Sequence, residues 1–139
     1  MATAAQLYIT KGPDGADPDA SMPSVELEWN ADLQFLRRYF ETANLEPWVS
    51  ELVDVYADRV ISGYQQKRLK DELSVAVLDA SRRPGRWREL VGWTSNDRRV
   101  ETEGWQVVDK AKLPAKIEAL RRLIDGAVSC KGALVVSGD

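Results

Sequence analysis

Two hydrophobic periods share this chain, and the order in which they follow one another constrains its fold more than any other feature. Strand-like segments stand near both ends, and segments with apolar residues three and four apart lie between them. Gln6-Leu7-Tyr8-Ile9-Thr10 is short, β-rich and bounded by Lys11-Gly12-Pro13, the pattern of a strand. Val25, Leu27 and Trp29 alternate with Glu26 and Glu28, which predicts a second strand with one acidic face. Leu33, Leu36 and Phe40, flanked by Phe35 and Tyr39, recur at helical spacing to about Ala43. Asn30 or Asp32 is placed to cap that helix and Asn44 to stop it. Pro47 opens an expected second helix over 46–60, with Trp48, Val49, Leu52, Val53, Val55 and Tyr56 as its stripe. Ser62, with Gln65 three residues on, matches a capping box for a third helix over 63–80. Leu69, Leu73, Ala76, Val77 and Ala80 form one face of it. Val75 and Leu78 widen that face to the breadth expected of a centrally packed helix.

Pro84-Gly85 ends this run, and the period returns to two. Residues 87–94 (WRELVGWT) and 99–108 are expected as paired strands around a Ser95-Asn96-Asp97 turn, with Gly104 as the candidate bulge. Pro114 opens a last helix carrying Ile117, Leu120, Leu123, Ile124 and Ala127, with Gly126 near its stop. Residues 132–137 are a short continuous apolar run suited to an interior strand. The expected order is β-β-α-α-α-β-β-α-β. This is an α+β fold, with a mixed or antiparallel sheet of about five strands packed with about four helices. Residues 1–139 are expected as one domain with a flexible loop at 11–23, where Gly, Pro and Asp crowd together. Asp14, Asp17 and Asp19 in that loop partly match an EF-hand. The later Gly and Glu offsets are missing, so no metal site is expected.

Composition excludes whole classes of chemistry. The 139 residues hold no His, which removes Ser-His-Asp triads, HExxH zinc sites and imidazole acid–base catalysis. The one cysteine, Cys130, can form neither an internal disulfide nor a multi-Cys metal site, and it has no His to activate it. No GxGxxG or GxxxxGK[ST] loop occurs, so no nucleotide cofactor is implied. No run approaches the roughly 20 apolar residues that span a bilayer, and the first residues lack a basic segment followed by a long apolar one. A cytoplasmic chain with no membrane partner is the expectation.

Charge is unevenly spread. Residues 1–61 carry four basic against eleven acidic groups, a balance of −7, whereas 62–139 carry fifteen against eleven, +4. The densest chemical feature is Ser81-Arg82-Arg83-Pro84-Gly85-Arg86-Trp87-Arg88, four guanidiniums within seven residues beside an indole. Such forks grip phosphate or carboxylate, and the indole offers a stacking face. In a regular strand Trp93, six residues after Trp87, lies on the same face. Of the five Trp, Trp29 and Trp48 are expected in the core, while Trp87, Trp93 and Trp105 on the hairpin are the interface candidates. Glu26 and Glu28 offer an anionic surface for a basic partner.

Arg82, Arg83, Arg86, Trp87, Arg88, Trp93, Trp105, Glu26 and Glu28 are therefore the candidate partner-binding residues, with no catalytic, cofactor or metal residue beside them. In size, acidity, Trp content and lack of a catalytic pattern, the chain resembles small bacterial immunity, antitoxin and inhibitor proteins. The resemblance transfers no residue. It implies a non-enzymatic protein that sequesters a protein partner, such as a toxin or another effector, by burying aromatic anchors inside a charged rim. Two other readings compete. One is a nucleic-acid or nucleotide-binding module built on the 82–88 turn. The other is a small hydrolase using carboxylates alone, which needs two facing acids across a polar cleft.

Overall fold

The last strand organises the sheet. The computed structural model describes residues 4–12, 23–95, 98 and 101–138. In it, β6 (Ala133–Gly138) lies between β1 (Ala4–Thr10) and β3 (Arg59–Ile61), and β2 (Val25–Glu28) extends the sheet beyond β1. All pairings are antiparallel. Residues 133–136 are buried on both faces, as an unbroken apolar run requires when neighbours pair on both sides. Leu7 stands opposite Val136, and Ile9 and Ile61 both stand opposite Leu134. With Ala5 and Leu27 they form the inner face, and every one of these side chains is buried. Glu26 pairs with Gln6, and Glu28 with Ala4, on the outer face, where both glutamates are exposed.

Among the described residues three helices pack together, and the last of them is laid against the strands of the sheet. α1 (Ala31–Ala43) begins at Asn30, whose side-chain oxygen accepts from the Leu33 amide at 3.1 Å. α2 (Tyr64–Ser81) packs beside α1 and α3 (Leu113–Ser129), and α3 lies against β1, β2 and β6. Its buried stripe is the expected Ile117, Leu120, Leu123, Ile124 and Ala127, extended by Leu113, with Pro114 in the first turn. No helix among the described residues is long and apolar enough to cross a membrane.

The expected helix over 46–60 does not form, so among the described residues there are three helices, and the observed order is β-β-α-β-α-β-β-α-β. Short polar side chains give this stretch other partners. Asn44 accepts from the Glu46 amide and Asp54 from the Tyr56 amide, local turns that compete with helical bonding. Arg59 then fastens the segment, donating to Ser50 O at 2.8 Å and Asn44 Oδ1 at 3.0 Å. Leu52, Val53 and Val55 reach the core, but Trp48, assigned to it from sequence, is 79% exposed. Trp29 also misses the core. It is 36% exposed and donates its indole N–H to the Val91 carbonyl at 2.8 Å.

α2 is narrower in its burial than its sequence implies, since Val75 and Leu78 face solvent. Its capping box is absent as well. The N-cap is Gly63, and Gln65 reaches away from the helix end to bond Leu45 N at 2.9 Å and Ala43 O at 2.5 Å. The strands divide into a four-stranded sheet and a separate pair, β4 (Arg86–Ser95) and β5 (Glu101–Asp109). β6 already has neighbours on both sides, and the pair rests on α1 instead of joining the sheet. The 11–23 loop with its three aspartates lies outside the described residues over 13–22, as does the hairpin turn at 96–97 and the expected strand start at 99–100.

Candidate docking surface

A two-stranded ribbon presents two faces, and here they have opposite fates. β4 and β5 run in register from Arg86↔Asp109 to Ser95↔Glu101, with one irregularity between Leu90 and Gly92. The extra residue, Val91, reverses the alternation. Trp87 and Trp93 therefore lie on opposite faces, not on the shared face that a regular strand implies. The bulge belongs to β4, not to Gly104, which instead faces Gly92 across the ribbon.

The inner face packs on α1. Val108 is fully buried, and Trp87 meets Phe35 edge-on at 5.3 Å between centroids. The Arg83 guanidinium lies 5.0 Å from the Trp87 ring centroid and 5.1 Å from that of Phe35. Glu89 gathers these groups. Arg38 Nη2 lies 3.0 and 3.1 Å from its two oxygens, Arg83 Nη1 lies 3.6 Å away, and the Trp87 indole N–H donates to it at 3.1 Å. Lys110 pins the ribbon's base, donating to the carbonyls of Ser81 at 2.8 Å and Arg83 at 2.9 Å at the end of α2. An ammonium there satisfies orphan carbonyls and complements the helix dipole.

The outer face is open. Trp93 is 57%, Trp105 46% and Val107 56% exposed, and Leu90, opposite Trp105, is half-buried. The Arg88 guanidinium lies 5.6 Å from the Trp105 ring centroid, and the Trp105 indole donates to Glu103 at 2.9 Å. A shallow recess of about 250 Å³ runs beside the bulge, lined by Trp29, Gly92, Trp93, Gly104 and Trp105 among others. Exposed aromatic and aliphatic side chains gathered on one face differ from the scattered apolar residues of an ordinary surface.

The nine candidate residues thus separate into groups. Arg86, Arg88, Trp93 and Trp105 share the outer face of the ribbon. Trp87 and Arg83 turn inward and hold the ribbon to α1. Arg82 lines a groove between α1 and α2, and Glu26 and Glu28 sit on the edge strand of the main sheet. Leu90 and Val107 complete the outer face and were not singled out from sequence, although Val107 follows Trp105 at period two. Lys110 and Arg38 carried no sequence signal, because their partners come from distant parts of the chain, and Glu89 gains its role only when Arg38 is brought to it.

The groove between α1 and α2, about 540 Å³, is lined by Arg38, Tyr39, Thr42, Glu72, Asp79 and Arg82 among others. Its two carboxylates stand seven residues apart on α2, roughly 10 Å along one wall, and do not face each other across the groove. The Tyr39 hydroxyl donates to Asp79 Oδ2 at 2.8 Å. Burial, and then the bond to Asp79, push its pKa from 10.0 up to about 12. The folded chain holds this proton more tightly than the unfolded chain does. The resulting stabilisation is complete below pH 10 and is lost as pH rises toward 12. Urea titrations at pH 9 and 11 will show a larger loss of stability in the wild type than in Tyr39→Phe, by about 1 kcal/mol. Equal losses in the two proteins would refute the assignment.

Among the described residues no group of three or more His, Cys, Asp or Glu is arranged to hold a metal ion. The Cys130 thiol is exposed beside the end of α3. No family model matches the chain, and no curated protein or solved structure matches it either.

Proposed function

We propose that this chain is a non-catalytic docking domain that occludes a protein partner, in the manner of immunity, antitoxin and inhibitor proteins, through the outer face of the β4–β5 ribbon. One observation carries the reading: Trp93, Trp105 and Val107 are about half exposed on a face whose reverse side is locked to the core. Aromatic side chains held on a rigid support lose little entropy on binding, and tryptophan and arginine dominate interface energetics. Arg86, Arg88, Glu101 and Glu103 supply the charged rim that steers encounter. The acidic pair Glu26 and Glu28 adds a second, weaker attraction for a basic partner. A cytoplasmic setting, where the exposed Cys130 thiol stays reduced, fits this role.

The test is capture from an extract of the source cells on immobilised chain, comparing wild type, the double variant Trp93→Ala/Trp105→Ala, and Trp48→Ala. Trp48 is the control because it is more exposed than either ribbon Trp yet lies elsewhere. A stoichiometric protein should be retained by wild type and Trp48→Ala and lost from the double variant. Retention by all three, or no stoichiometric protein on any, overturns the reading. Capture of nucleic acid that washes off with salt would move the assignment to the exposed arginines of the 82–88 turn.

A further inference from the structure

The outer face of the ribbon is complementary to itself. Its central row is the pair Leu90 and Trp105. Counting from that row toward the base, Arg88 is two residues away on β4 and Arg86 four. Counting toward the tip, Glu103 is two residues away on β5 and Glu101 four. At about 3.4 Å per residue these offsets are roughly 7 and 14 Å on either side of one centre. Within a single chain Arg88 and Glu103 are therefore about 14 Å apart along the ribbon and Arg86 and Glu101 about 27 Å. Among the described residues none of these four side chains forms an ion pair. Asp109, opposite Arg86, is engaged with the Ala111 amide.

We infer that, when no unlike partner is bound, the face is covered by the same face of a second copy, related by a two-fold axis crossing the ribbon at Leu90 and Trp105. That operation lays the Arg88 row of each copy over the Glu103 row of the other, and the Arg86 row over the Glu101 row. It also stacks the Leu90–Trp105 row on its own equivalent. An isologous contact needs this property: the basic rows meet the acidic rows when the surface is turned about its centre. Because the operation lays β4 on β4 and β5 on β5, each arginine meets its glutamate on the diagonal. Four such pairs surround a core of Leu90, Trp93, Trp105 and Val107 from both chains, the outer two weakened where Asp109 falls over Glu101 of the other copy. A face two strands wide is small for an interface, so the dimer dissociates in the micromolar range. The inference rests on the outer face being a docking surface, and it names the occupant of that face in the isolated protein.

Sedimentation velocity on the full chain at low salt, from low to high micromolar concentration, tests it with two variants. Arg86→Glu/Arg88→Glu places like charges over the acidic rows, and Glu101→Arg/Glu103→Arg does so over the basic ones. Circular dichroism checks that both fold, as expected of exposed positions. The wild type should dimerise, more weakly as salt rises. Each variant alone should sediment as a monomer, with its dissociation constant raised about tenfold or more. An equimolar mixture of the two should dimerise again, because both contacts then join opposite charges. A monomeric wild type at every concentration overturns the dimer, as do variants that dimerise on their own or a mixture that stays monomeric. The docking reading is judged apart from this, by whether extract capture depends on Trp93 and Trp105.

Discussion

Gly132→Ala is expected to lower the stability of this chain by about 3 kcal/mol, a large share of the 5–15 kcal/mol that holds a typical domain together. A Cβ at this position would stand 1.8 Å from the Thr10 carbonyl oxygen and 2.9 Å from Cys130 Sγ. The sulfur can turn aside, but the carbonyl belongs to β1 where it pairs with β6, Thr10 standing opposite Ala133. Gly132 is fixed from other directions too. Its amide donates to Ala127 O at 2.9 Å, and its carbonyl accepts from the buried Gln66 side chain at 3.0 Å. Relief would require β1 to move from the central strand. The residue one position earlier makes a useful contrast. Lys131 has a φ of 54°, in the left-handed region where helices commonly end on glycine. Lys131→Gly should therefore stabilise by about 0.5–1 kcal/mol. Urea unfolding checks both, the midpoint falling for one variant and rising for the other. A loss below about 0.5 kcal/mol for Gly132→Ala would show that the β1–β6 junction yields easily.

The second large effect is at Glu89. Its side chain is only 14% exposed and, among the described residues, it is the one acid paired with Arg38, Arg83 and the Trp87 indole. In Glu89→Gln the indole can keep a partner, but two guanidiniums lose their counter-charge beside the rings of Phe35 and Trp87. Arg38 and Arg83 are themselves 47% and 33% exposed, so water offsets part of this, and the expected cost is about 2 kcal/mol. Glu89→Ala should cost more, since the indole N–H is then stranded as well. The damage should be local before it is global. Near-ultraviolet circular dichroism from Trp87 and α1 should diminish at denaturant levels that leave far-ultraviolet helicity intact. If both signals fade together at the wild-type midpoint, the cluster does not hold the ribbon to α1.

Much of the fold can be read from local pattern. α1 and α3 carry their stripes at helical spacing, Asn30 supplies the cap, Pro114 sits in a first turn, and residues 133–136 announce a strand buried on both sides. The segment over 46–60 misleads because a run such as Leu52, Val53 and Val55 suits helix, strand or inward-turned loop alike. There Asn44, Asp54 and Arg59 decide by bonds whose partners the local pattern does not specify. Half of the candidate surface was legible for a similar reason. Trp93 and Trp105 stand out by type, but whether they share a face with Trp87 depends on the bulge at Val91.

What the sequence determined alone is the inventory: an α+β chain without histidine, with its charge divided between halves and three of its five tryptophans on one hairpin. Those are properties of residue type and local spacing, which survive any arrangement of the elements. Only the tertiary structure decided that the hairpin stands apart from the sheet, that Trp48 is outside, and that Arg83 is consumed internally while Arg88 remains available. Each of these depends on which distant residue occupies the adjoining space, as Phe35 does for Arg83, and contacts between remote parts of the chain leave no periodic mark along it.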